Sequence, residues 1–259
     1  MVDIHCHILP NLDDGSESVD ISKEMALIAV EDGIKSIVAT PHYIEYEHEV
    51  SKKAILKSCQ ELNQLLIQNG INLKILPGCE AFISPTLVES YKKGEIMSIN
   101  DMGKYILIEL PVTNYPEYVE DVIFDFKVIG VIPIIAHIER YSYVRGDFEV
   151  IYRLINKGAL MQVNSTSIIG LFGDKLKNKA IELVKHNMVH FIASDAHTTR
   201  GRSPRIARAF EILKKERIKD TYIDYLIANS QKIIYGEDIK IIDPIVKKVS
   251  WFYKIRRRF

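Results

Sequence analysis

Nowhere in the 259-residue chain do about 18 apolar residues run together, so no segment reads as a membrane-spanning helix. The N-terminal MVDIHCHILP has neither the basic nor the apolar region of a secretory signal. Cysteine is scarce. Cys6, Cys59 and Cys79 are odd in number and lack CxxC spacing, which excludes a disulfide framework and a zinc ribbon and suits a cytoplasmic setting. Neither sign of charge is in excess: 34 Lys+Arg face 34 Asp+Glu, so no bulk basic footprint for nucleic acid exists. Familiar catalytic signatures are missing too. There is no GxSxG elbow and no GxxxxGK[ST] loop, and Leu12, Leu65 and Pro85 stand six residues after the cysteines, where a cysteine-phosphatase loop needs arginine.

What is present is ordinary globular material, 47% apolar and 26% charged, enough for one large domain or two small ones. Short apolar runs predict strands at Val2–His7, Ser36–Thr40, Leu73–Leu76, Tyr105–Glu109, Val131–His137, Leu160–Asn164 and Val189–Ser194. Helical periodicity lies between them, at Ser18–Asp32, Val50–Gln68, Thr86–Lys93, Tyr118–Ile129, Glu149–Asn156, Lys175–His186, Pro204–Lys215 and Ile223–Tyr235. This alternation predicts an α/β fold with a parallel sheet, closed as a barrel or open and doubly wound.

Histidines and carboxylates gather at the C-terminal ends of the predicted strands, the edge that carries active sites in parallel α/β folds. His5 and His7 alternate on one strand face, with Cys6 pointing away. Asp14 lies in the following turn. His42, Glu80, Glu109, His137, Asp195 and His197 close other strands. Buried together, such charges are costly unless paired or metal-bound. Four carboxylates and five imidazoles exceed one metal's needs and suit two or three divalent cations. The mixed nitrogen and oxygen donors point to manganese, iron or zinc rather than the oxygen-rich shell of magnesium. Arg140 and Arg202 fit a phosphate role through their planar, permanently charged guanidinium groups. Tyr43 and Tyr141, beside His42 and Arg140, are expected to line the cavity mouth and stack on a substrate ring. His48, in EYEHEV, is expected to be solvated, and His186 and His190 fall at the wrong strand end for chemistry.

In order, DIHCHILPNLDDG, ATPHY, GCE, ILIEL, IAHIERY, QVNS and ASDAH…GR resemble the polymerase-and-histidinol-phosphatase (PHP) superfamily. The closer resemblance is to its bacterial manganese-dependent protein-tyrosine-phosphatase branch, found with capsule and exopolysaccharide systems. It covers roughly residues 1–240, a single PHP metallophosphatase domain. The resemblance implies a distorted (β/α)7, TIM-like barrel with three metals. His5, His7, Glu80 and Asp195 would hold the first. Glu80 would bridge to a second with Glu109 and His137, and Asp14, His42 and His197 would hold a third. The metal would be manganese (Mn), with Fe, Zn or Mg as alternatives. Arg140 and Arg202 would bind the phosphate. The implied substrate is phosphotyrosine on a polysaccharide-assembly tyrosine kinase. A histidinol-phosphatase-like small-molecule phosphatase, a phosphodiesterase and a non-catalytic metal-binding module are the rival readings.

Residues 241–259 lie outside the shared motifs. DPIVKKVSWFYKIRRRF mixes basic and aromatic residues, which suits either packing on the domain or contact with a membrane surface or acidic partner. No motif specifies an oligomeric state.

Overall fold

The structure is a computed structural model that describes residues 1–146 and 148–245. The chain runs β1 (Val2–Cys6), α1 (Val19–Glu31), β2 (Ser36–Ala39), β3 (His42–Ile44), β4 (His48–Glu49), α2 (Lys52–Gln68), β5 (Lys74–Pro77), β6 (Glu80–Phe82), α3 (Leu87–Lys92) and β7 (Tyr105–Glu109). It continues α4 (Val119–Val128), β8 (Ile132–Ile135), α5 (Glu149–Lys157), β9 (Leu160–Asn164), α6 (Ser165–Ile169), α7 (Asp174–Lys185), β10 (Phe191–Ala193), α8 (Ala207–Lys215) and α9 (Asp220–Ile233). The seven predicted strands and eight predicted helices are all present. Local chemistry sets several boundaries: Ser18 and Ser51 accept hydrogen bonds from the amides of Ile21 and Ala54, capping α1 and α2.

The strands form seven parallel staves in chain order. Two staves are broken in the middle. Pro41 separates β2 from β3, and Gly78–Cys79 separates β5 from β6. The lower halves pair β1–β2–β5, and the upper halves pair β3–β6–β7–β8–β9–β10, with β4 folded back antiparallel on β3. The ring closes through a parallel bridge between Cys6 and Ala196, and Asp3 takes hydrogen bonds from the backbone and hydroxyl of Ser194. This is the distorted (β/α)7 barrel expected from the motifs. Pro41 lacks an amide for the ladder, and the Gly78 Cα passes so close to Val38 that a Cβ would stand 2.7 Å from its methyl. Both breaks follow.

Two-residue periodicity splits the apolar side chains. Val2, Ile4, Val38, Leu76, Tyr105, Leu107, Ile134, Leu160, Phe191 and Ala193 fill the barrel. Cys6, Ile37, Ile75, Ile106, Ile108, Ile135, Met161, Val163 and Ile192 pack outward under the helices. Along the inward face, apolar residues give way to polar ones near the top. Leu107 is followed by Glu109, Leu160 by Gln162 and Asn164, and Ala193 by Asp195. In β1 the register slips between Asp3 and Cys6, so the inward face passes from Val2 and Ile4 to His5 and His7.

Residues 246–259, most of the basic aromatic tail, lie outside the described residues. Just before them, the Ile245 amide donates to the His186 carbonyl at 2.8 Å. No helix among the described residues is long and apolar enough to cross a membrane.

Candidate metal centre

The polar tops of the staves converge on a cavity of about 820 Å³. Its wall includes Asp14, His42, Glu80, Glu109, His137, Asp195 and His197, with Arg140 and Arg202 at the rim and Leu12, Ile44, His48 and Phe82 on another side. His5 and His7 lie fully buried beneath it. Donor atoms fall into three overlapping groups within 4.8 Å: His5/His7/Glu80/Asp195, His7/Asp14/His42/His197, and His42/Glu80/Glu109. His137 joins the last two carboxylates, its Nε2 being 3.0 Å from Glu80 and 3.4 Å from Glu109. All nine predicted donor residues are thus brought together.

The imidazole tautomers show what the site asks for. His5 Nδ1 lies 3.2 Å from Gln162 Oε1, and His7 Nδ1 lies 2.5 Å from Asp13 Oδ2. Both partners only accept, so both Nδ1 atoms carry hydrogen, and Nε2 is the ring atom each histidine turns toward the cavity floor. Those two Nε2 atoms stand 3.2 Å apart, and they lie 3.0 Å and 3.2 Å from Glu80 Oε2. Ring nitrogens so close, both aimed at one carboxylate oxygen, call for a proton or a cation among them. His42 Nδ1 and His137 Nδ1 are buried without hydrogen-bond partners. Burial, then the negative charge of Glu80, pushes the Glu109 carboxyl up to about 7. This donor set fits divalent cations.

A second layer orients the donors. Gln162 Oε1 also accepts the His137 amide, while its Nε2 donates to Asn164 Oδ1 at 2.8 Å. Asn164 Nδ2 in turn donates to Asp195 Oδ2 at 2.7 Å, and the Asn164 amide donates to the buried Glu139. Asp13 accepts from the amides of Gly15 and His42 besides His7. Such outer partners fix ring orientation and donor basicity. Asp13, Gln162, Asn164 and Glu139 were not among the expected site residues. Their signal was the inward parity of β9 and the acid next to Asp14. His137 (φ 30) and Asp195 (φ 51) take left-handed backbone, which costs non-glycine residues about 1–3 kcal/mol and is common where function fixes a side chain.

Arg140 Nη1 donates to Asp195 Oδ2 at 3.2 Å, and Arg202 Nη2 donates to Oδ1 at 2.9 Å. Burial alone would raise the Asp195 carboxyl, but nearby His5, His137 and Arg202 hold it below the usual range.

Three expectations fail. Tyr43 faces away from the cavity because it alternates with His42 and Ile44 on β3, and it is 3% exposed in the outer core. Tyr141 is fully buried. Its ring stacks on Tyr143, and its hydroxyl accepts the Leu110 amide. Neither can meet a substrate ring. His48 is half-buried rather than solvated, and its Nε2 donates to the Leu12 carbonyl at 2.8 Å. His190 conforms: it is buried at the barrel's lower end, where burial pushes it down to about 3.

The comparisons with known proteins agree with this geometry. A family described as "Capsular polysaccharide synthesis, CpsB/CapC" matches residues 1–235. Tyrosine-protein phosphatase YwqE of Bacillus subtilis (strain 168) is 41% identical over 216 residues, covering 83% of this chain and 85% of its own. Putative tyrosine-protein phosphatase CapC of Staphylococcus aureus is 34% identical over 260 residues, covering 97% and 99%. A chain from the crystal structures of YwqE and Streptococcus pneumoniae CpsB, described as unique metal-dependent tyrosine phosphatases, aligns with TM-score 0.91 at 37% identity. It covers 96% of this chain and 100% of that one. Histidinol phosphate phosphatase from Lactococcus lactis aligns with TM-score 0.56 over 84% of this chain and 94% of its own; at 16% identity that likeness concerns the fold alone. On the match across residues 1–235 and the identity to relatives over most of its length, the chain belongs to the CpsB/CapC capsular polysaccharide synthesis family.

Proposed function

We infer that this chain is a metal-dependent tyrosine-protein phosphatase of the capsular polysaccharide type, hydrolysing a phosphotyrosine monoester. The observation that carries this reading is the convergence of the His5 and His7 Nε2 atoms on Glu80 within three overlapping donor groups, with two guanidinium groups at the rim. His5, His7, Glu80 and Asp195 hold one cation. Glu80, Glu109 and His137 hold a second, and Asp14, His42 and His197 a third. Manganese suits these mixed donors, with iron, zinc and magnesium as competitors. Bound divalent cations supply Lewis acidity for phosphoryl oxygens and bring the pKa of water toward about 7.

The chain's own residues do the rest. Arg140 and Arg202 each spend one N–H on Asp195 and present the others to phosphoryl oxygens, stabilising charge as the ester bond breaks. The tyrosine leaving group, with pKa about 10, needs less proton assistance than a serine or threonine alkoxide. A cysteinyl-phosphate route has no support. All three thiols are buried, and burial pushes Cys59 and Cys79 up to about 12 and Cys6 well above its ordinary value. Free buried cysteines also suit the reducing cytoplasm. The partner we propose is a phosphotyrosine-bearing tyrosine kinase of polysaccharide assembly.

The test measures phosphate release from a phosphotyrosine peptide and from histidinol phosphate, after chelation and separate return of Mn, Mg, Zn and Fe. Peptide turnover restored best by manganese is expected. Release from histidinol phosphate alone would overturn the tyrosine-phosphatase reading, and silence on both with every metal would overturn the phosphatase reading altogether.

A further inference from the structure

With Tyr43 and Tyr141 buried, the cavity needs another surface for an aromatic ring. In the parallel pair β3–β6, His42 is opposite Glu80 and Tyr43 opposite Ala81, so the next rung outward sets Ile44 beside Phe82. Alternation keeps Ile44 on the face of His42 and Phe82 on the face of Glu80, and all four residues line the cavity. On β3 and β6 an apolar rung therefore stands one two-residue step, roughly 6.6 Å, beyond His42 and Glu80, while on the neighbouring β7 Glu109 is opposite Phe82. Leu12, from the loop after β1, extends the same apolar wall.

This wall is braced. His48 on β4 donates to the Leu12 carbonyl, joining the β3–β4 hairpin to the loop. Glu45, at the hairpin bend, accepts hydrogen bonds from the hydroxyls of Ser84, Thr86 and Ser90. The Tyr46 amide donates to Glu49 across the turn at 2.9 Å.

We propose that Leu12, Ile44 and Phe82 form the surface that selects phosphotyrosine over phosphoserine and phosphothreonine, with Glu45 and His48 as positioning residues. The rung height matches the reach of a phenyl ring from its phosphate oxygen to its benzylic carbon. With phosphate beside His42 and Glu80, a tyrosine ring lies along the wall, and Phe82 supplies an aromatic contact. A phosphoserine is too short. Its peptide backbone would have to descend past the rung, leaving amides unpaired against apolar side chains. This inference rests on the phosphatase reading above.

The experiment uses the full-length, manganese-loaded protein. It compares kcat and KM on a phosphotyrosine peptide and on the same peptide carrying phosphoserine, with inorganic phosphate as competitive inhibitor. Phe82→Ala should raise KM for the phosphotyrosine peptide about tenfold, the equivalent of losing a ring contact and its burial. It should leave phosphate inhibition and metal content unchanged and shrink the preference for phosphotyrosine, and Phe82→Tyr should restore that preference. Ile44→Ala should act in the same direction, which covers the case in which Phe82→Ala does not fold. Glu45→Gln should weaken the preference less. An unchanged preference in folded Phe82→Ala and Ile44→Ala would overturn the proposal while the phosphatase reading stands. A wild-type protein inactive on phosphotyrosine would instead overturn that reading.

Discussion

Residue by residue, the groups that an ionisable side chain faces decide whether it does chemistry or only tolerates its surroundings. Arg140 is the informative functional case, since it reaches both Asp195 and the cavity rim. Arg140→Ala should raise KM for a phosphotyrosine peptide at least tenfold with an unchanged melting temperature. Unchanged kinetics would remove the arginine from phosphate binding. His190 is the informative structural case. Its Nδ1 accepts the Met161 amide in a buried setting, and burial pushes it down to about 3. Below pH about 6.5 the unfolded chain protonates this imidazole while the folded chain does not, so its stabilising contribution is complete above pH 6.5 and is lost as pH falls toward 3. The slope approaches about 1.4 kcal/mol per pH unit. Denaturant titrations between pH 4 and 7 should show His190→Gln with a flatter acid limb than wild type. Parallel limbs would place the acid sensitivity elsewhere.

At the scale of elements, the loop between β1 and α1 is tuned by contact. A Cβ on Gly15 would stand 2.3 Å from the His7 carbonyl oxygen and 2.4 Å from its Cβ. Gly15→Ala should therefore cost about 1–3 kcal/mol, as other overpacked sites do, and lower metal content by displacing His7. Wild-type stability in thermal melts would contradict this. Asp13→Ala removes the acceptor of the His7, Gly15 and His42 N–H groups and should weaken metal binding about 10–100-fold, as read by metal titration. The main staves and helices were legible because each carries a two-residue or helical period. β3 and β6 were not, because each is a three-residue stub beyond Pro41 or Gly78, and such breakers read as strand ends. Eight of the nine candidate donors were legible because they stand at or just beyond strand ends, and Asp14 because it lies in the turn that follows His5 and His7. Tyr43 and Tyr141 misled because adjacency in sequence places neighbours on opposite faces of a strand. Gln162 and Asn164 escaped because amides inside an apolar run give no titratable signal.

Across the whole molecule, the centre draws donors from the first stave to the last. Without cations, Glu80, Glu109 and Asp195 face one another across the barrel top. Chelation should therefore lower the melting temperature as well as activity. At a hundredfold excess of metal over Kd a single site adds about 2.7 kcal/mol, which for a chain of this size corresponds to roughly 5–10 °C. A melting curve insensitive to chelator would show that the donors are not holding metal. The bridge between Cys6 and Ala196 gives this arrangement a further meaning. His5 and His7 leave the ribosome before the rest of the barrel, but Asp195 and His197 emerge only after nearly all of it has been made. A chain interrupted anywhere before β10 carries an incomplete set of donors, so the ability to hold the full complement of ions appears together with the finished ring. Metal capture by these donors would then mark the closed ring, and products truncated before β10 should be catalytically silent.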